Sequence, residues 1–227
     1  MNTWELITNN RFEEAIRQAD IEYEALGDVF VLRNKVYALF HLERYQECIL
    51  LEQKIIEMTS GDTDTDFIFL GIAEWLLGDR ERAILTWKLG RRCLYTDAAG
   101  GVEIPILLFY GSILTNDLKL RSEVLRKFNK ISQSTMSQNW PGPLIQYILG
   151  HLSVDEVFAL TDSNELLRKR QLCQLDFVGA VKEIEKGNIE NYKTELLNTV
   201  SHGPSSYLEQ FYFLAKGEIE LMNRASA

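Results

Sequence analysis

Turn-forming residues punctuate this chain at short, regular intervals, and the stretches between them carry apolar residues at helical spacing. The punctuation falls at Asn9-Asn10, Gly27-Asp28, Glu43-Arg44, Ser60-Gly61-Asp62, Gly78-Asp79, Ala99-Gly100-Gly101, Asn116-Asp117, Pro141-Gly142-Pro143, Gly187-Asn188 and Gly203-Pro204. The segments so marked off are about a dozen residues long, the usual length of a globular helix, and none shows the alternation of a half-buried strand. Helices of that length joined by short connections are antiparallel neighbours. The expectation is an all-α chain built of helix pairs.

Three stretches are similar to one another. NNRFEEAIRQADIEY (9–23), LERYQECILLEQKII (42–56) and LGDRERAILTWKLGR (77–91) align so that Ala15, Cys48 and Ala83 coincide, 33 and 35 residues apart. Isoleucine follows each, at Ile16, Ile49 and Ile84, and Phe12 and Tyr45 stand three positions before. A recurrence near 34 residues with this pattern resembles the tetratricopeptide-repeat superfamily. The resemblance implies a right-handed superhelical array of antiparallel helix pairs, a TPR-like α-solenoid with a C-terminal capping helix. In the third unit Leu70-Gly71 matches the Leu-Gly pair of a repeat's first helix, which places Ala83 opposite Gly71. Gly78 reads as the left-handed residue that ends that helix.

The repeats occupy residues 1–95. TDAAGGVE (96–103) breaks the pattern and reads as a connection with the make-up of a hinge. Residues 104–227 read as a continuation of the array, beginning with a degenerate pair around Tyr110-Gly111 and LRSEVLRKFNKI (120–131). NWPGPLIQYILGHLSVDEV (139–157) resembles a Trp-Pro-x-Pro helical pair of bacterial tetratricopeptide proteins, with Ser153 and Glu156 in capping-box spacing. Cys173, Phe177 and Gly187 follow in that pair's order, and SYLEQFYFLAKGEIELM (206–222) reads as the capping helix. The chain departs from the family in having Val36 where glycine is usual and no proline after its second helices.

Charge is uneven. Residues 1–79 carry sixteen acids and six bases (−10), residues 80–130 five and ten (+5), and residues 131–227 twelve and eight (−4). An acidic first third disfavours nucleic acid and attracts a basic protein; it is also the composition of a plain solvated surface. MNTWELITNNRFEE has neither a basic start nor an apolar core, and the longest apolar run, IPILLFYGSIL (104–114), falls short of the roughly 20 residues that span a bilayer. The expected setting is cytoplasmic, away from membrane. Cys48, Cys93 and Cys173, odd in number and set among apolar residues, read as buried reduced thiols.

His41, His151 and His202 stand apart from other ligand-type residues, which gives no zinc pattern. Asp62, Asp64 and Asp66 lack the glycine and terminal glutamate of a calcium loop, and Asp66 reads as the cap of a helix beginning near Phe67. No phosphate loop or nucleophile elbow occurs, so neither a cofactor nor catalysis is expected. The basic run from Arg80 to Lys130 reads as a solvated face or as the internal counterpart of the acidic third.

In the family the first helix of each unit lines a concave groove. Carried over position by position, that puts Trp4 and Ile7, then Arg33, Tyr37, Phe40 and His41, then Ile68, Ile72 and Trp75 along it, with Phe177, Val181 and Ile184 further on. Such aromatics serve as binding anchors, and they equally pack between helices. The functional expectation is a non-catalytic protein-binding module with a basic protein partner. A bacterial immunity protein that neutralises a basic toxin is one form; a TPR-type secretion chaperone or assembly adaptor is the alternative. A second copy of the chain filling the groove would give a homodimer.

Overall fold

A computed structural model describes residues 1–203 and 209–225. Apart from one isolated bridge, between Thr63 and Tyr95, these residues form helices and their connections, and none of the helices is long and apolar enough to cross a membrane. The chain divides into two compact units, Met1–Tyr95 and Thr96–Ala227.

The first unit holds α1 (Thr3–Thr8), α2 (Phe12–Leu26), α3 (Val29–His41), α4 (Tyr45–Thr59), α5 (Asp64–Leu76) and α6 (Arg80–Gly90), each packed on the next. Side-chain oxygens start several of them: Asn2 and Glu5 form a reciprocal capping box on α1, Asp28 accepts from the Phe30 N–H and Asp79 from the Arg82 N–H. Ala15, Cys48 and Ala83 are fully buried, so small side chains sit where α2, α4 and α6 press against their neighbours. Helix α5 is buried on almost every side from Ile68 to Leu76, as befits a helix that is apolar all round.

The second unit holds α7 (Glu103–Leu114), α8 (Leu118–Ser132), a 3₁₀ turn (Thr135–Gln138), α9 (Gly142–Ile148), α10 (Val154–Ala159), α11 (Glu165–Glu185), α12 (Ile189–Ser201) and α13 (Gln210–Ala225). Helix α13 packs on α11 and α12. Phe177 stacks on Phe211 at 4.6 Å, and the buried Tyr110 and Tyr192 hydroxyls lie 2.9 Å apart. A helix is present from Gln210, where the capping helix is expected; Ser206 to Leu208 of its predicted span fall outside the described residues. Ser153 and Glu156 do form a capping box. Within the connection at 96–103 one side chain organises the backbone. The Asp97 carboxylate accepts from the backbone N–H groups of Ala99, Gly101, Val102 and Glu103, which fastens the loop to the start of α7.

One turn recurs along the chain. Asn10, Glu43, Gly78, Asn116, Gly150 and Gly187 all have positive φ, between 53° and 92°. Each donates its N–H to the carbonyl three residues back, and the next residue donates to the carbonyl five before itself. Those two bonds satisfy orphan carbonyls of the preceding helix in a Schellman arrangement. Ser60 makes the same turn between Glu43 and Gly78; the other six lie 33, 35, 38, 34 and 37 residues apart, close to the spacing of the three similar sequence stretches.

Gly71 is required for packing, but the residue opposite it differs from the expectation. A Cβ there would stand 2.2 Å from Trp87 Nε1, so the indole of Trp87, rather than Ala83, fills the space. Trp87 is buried, donates to the Ile68 carbonyl at 3.3 Å, and stacks on Trp75 at 5.6 Å. Gly71→Ala is expected to lower unfolding stability by about 1–3 kcal/mol through overpacking, read as a shifted urea midpoint, whereas the exposed Leu85→Ala should stay within about 0.5 kcal/mol.

Candidate functional site

Four of the eight proposed contact residues lie in the core of the first unit: Phe40, Ile68, Ile72 and Trp75 are buried. Phe40 packs edge-on against Phe69 and Tyr45, at 5.4 and 5.7 Å, and the half-buried Tyr37 joins them at 5.2 Å from Phe69. Trp75 lies between Trp87 and the Arg80 guanidinium, the latter 5.0 Å from its ring. His41 stacks on Phe12 at 4.3 Å. Trp4 is more exposed than the others, at 38%. Of the companions further along, Ile7, Phe177 and Val181 are buried and Ile184 is half-buried. The aromatic stripe is thus mainly interhelical packing.

Arg33, the remaining member, is an internal ion-pair residue. Its guanidinium holds Asp66 with two 2.8 Å hydrogen bonds and stands 3.7 Å from Asp62. Asp66 accordingly does not cap α5. Thr63 occupies the cap position, and Asp66 is buried in the first turn. Glu52 of α4 is also buried here; desolvation, reinforced by the negative charge of Asp66, holds its carboxyl well above the ordinary range despite Arg33. One cation therefore serves several carboxylates. Cys48, Cys93 and Cys173 form no disulfide; Cys48 and Cys173 are buried, while Cys93 is only half-buried. Burial raises the Cys48 thiol, and burial with the neighbouring Asp64, Asp66 and Asp62 raises Cys93 to about 11.

The first unit has an open groove elsewhere. It encloses about 360 Å³ and is lined by Gln53 and Ile56 of α4, Phe67, Leu70 and Glu74 of α5, and Arg82, Leu85, Thr86 and Leu89 of α6. Positions 67, 70 and 74 form one stripe of α5 at helical spacing. The predicted 68, 72 and 75 form the adjoining stripe, which is sunk in the core. Leu85 and Leu89 follow one another at i,i+4 and stay 60% and 57% exposed. Glu74 at the groove is itself buried: Thr86 Oγ donates to its Oε2 at 2.6 Å and Arg82 Nε lies 2.7 Å from Oε1. Desolvation raises its carboxyl, against the hydrogen bond from Thr86 and the charge of Arg82. The sequence held one sign of this place, a leucine pair on a helix whose Ala83, Ile84 and Trp87 already serve the core.

The second unit gathers polar side chains that the sequence scattered. His202 Nε2 lies 2.6 Å from Asp176 Oδ2, and the Lys182 ammonium lies 4.2 Å from the centre of the Tyr147 ring. Around the buried Glu209, one Gln174 amide nitrogen donates to both Glu209 oxygens, at 3.1 and 3.2 Å, and to Glu103 at 3.0 Å. Trp140 Nε1 donates to the Gln174 oxygen, and Arg170 stands 3.6 Å from Glu209. Burial lifts the Glu209 carboxyl to about 7, although Arg170 and Gln174 pull the other way. Among the described residues, no three His, Cys, Asp or Glu side chains are grouped to hold a metal ion.

No protein-family model matches this chain, and no curated protein matches it either.

Removing Arg33 leaves Asp66 buried without its bidentate partner. Arg33→Met is expected to cost about 3–5 kcal/mol in chemical denaturation. Glu209 titrates differently in the folded and unfolded chain. The folded chain keeps its proton up to about pH 7, while the unfolded chain releases it near 4.5. Its stabilising contribution is complete below 4.5 and declines as pH rises to 7. Thermal melts of Glu209→Gln should therefore lose less stability between pH 5 and 8 than those of the unaltered chain.

Proposed function

We propose that this chain is a protein-binding module of the tetratricopeptide type, its antiparallel helix pairs wound into a right-handed superhelix. Its partner is a basic protein, part of which lies in the α4–α6 groove. The observation that carries this reading is the groove: two largely exposed leucines, Leu85 and Leu89, above a floor of Phe67 and Leu70. Exposed apolar side chains gathered over a concave floor are what a partner's anchor residues require. Six of the seven turns of one kind stand 33 to 38 residues apart, which supports the repeat architecture.

Charge supports the sign of the partner. Residues 1–95 hold seventeen acids and eleven bases, net −6, which speeds the approach of a positive surface and makes association salt-sensitive. In its sharper form the proposal is a bacterial immunity protein that occludes a basic toxin. Three cysteines without a disulfide among them suit a reducing, cytoplasmic setting.

The test is affinity capture with the full chain, followed by titration of the recovered partner against Leu85→Ser/Leu89→Ser. Both positions are exposed, so circular dichroism and the unfolding midpoint should stay unchanged. Affinity should fall by about thirtyfold or more, the mark of a hot spot worth about 2 kcal/mol. Unchanged affinity would overturn the groove reading, and capture of several extended secreted clients would replace neutralisation by a chaperone role.

A further inference from the structure

Within the binding reading above, on which this inference rests, Glu74 poses a separate question. It is a buried acid in an otherwise apolar stretch of α5, and it lies against a groove whose other walls are mostly hydrocarbon. A carboxylate in such a place is retained only with hydrogen bonds and a counter-charge. Thr86 supplies the hydrogen bond from a buried, fixed position. The counter-charge is supplied differently. Arg82 reaches Glu74 from the first turn of α6, and its side chain is 56% exposed.

We propose that the α4–α6 groove recognises a lysine or arginine flanked by apolar side chains, and that Arg82 holds Glu74 until the partner's cation replaces it. Three features argue for this occupant. The carboxylate is anchored while its cation is peripheral, so another cation can take Arg82's place without leaving Glu74 bare. Arg82, Leu85 and Leu89 run along one side of α6 at spacings of three and four, so the groove has a polar end and an apolar length. The complement is an amphipathic segment with one cationic residue next to its apolar anchors. An anion at the same end would meet Glu74, whose charge the protein does not otherwise neutralise once Arg82 turns away to pair with it.

The test uses simple amphiphiles with one chain length: n-octylammonium, n-octanoate and n-octanol, titrated against the full chain with labelled leucine methyls. Shifts at Leu85 and Leu89 report binding. Octylammonium should bind at least tenfold more tightly than octanoate. Glu74→Gln, isosteric and still able to accept from Thr86, should erase that preference while octanol continues to shift both leucines. Arg82→Gln should strengthen octylammonium binding about tenfold, and this variant decides the matter if Glu74→Gln does not fold. Equal or better binding of octanoate, a preference that survives Glu74→Gln, or no gain in Arg82→Gln would each overturn the cation reading. Failure of all three amphiphiles to move either leucine would overturn the groove itself as a binding site.

Discussion

The indole of Trp87 occupies the space that any side chain at residue 71 would need, and the first unit is arranged around that contact. With Gly71 in place, α6 can bring Trp87 under α5, where it hydrogen-bonds the Ile68 carbonyl and stacks on Trp75. Ile68, Gly71, Ile72 and Trp75 are thereby committed to the interior. The adjoining stripe of α5, with Phe67, Leu70 and Glu74, forms the floor of the groove between α4 and α6. The groove lies beside that close-packed stripe, along the same two helices.

This explains what the sequence revealed and what it hid. The all-helical class was legible because helical spacing persists between turn residues, and because residues tolerant of left-handed backbone fall where helices must stop. The need for a small residue at 71 was legible too, but not its neighbour, since Ala83 and Trp87 lie one turn apart on α6. An apolar all-round helix such as α5 gives no sign of which stripe its neighbours cover, so Ile72 and Trp75 looked as available as Leu70. The ion pairs between distant helices were hidden. Arg33 and Asp66 are 33 residues apart, and only the packing of α3 against α5's first turn joins them.

Buried charge also alters what net charge means here. Asp66 and Glu74 face their own cations inside the first unit, and burial holds the Glu52 carboxyl well above the ordinary range. These acids add less to the field a partner senses than the composition suggests. The outward acidity comes from exposed residues such as Glu13, Glu47 and Glu57 on α2 and α4. Those residues set the field outside the first unit, whereas the charge of Glu74 is felt mainly inside the groove.

The recurring turn has a different implication. Its geometry is made by backbone hydrogen bonds, and its left-handed position is filled in seven places by three glycines, two asparagines, a glutamate and a serine. Asparagine adopts that backbone at small cost, and even glutamate is carried there by the two bonds it helps to close. The position therefore constrains shape more strongly than it constrains identity. Substitutions can accumulate at these corners while the path of the chain stays the same, so the common architecture of the units can outlast any likeness between their sequences.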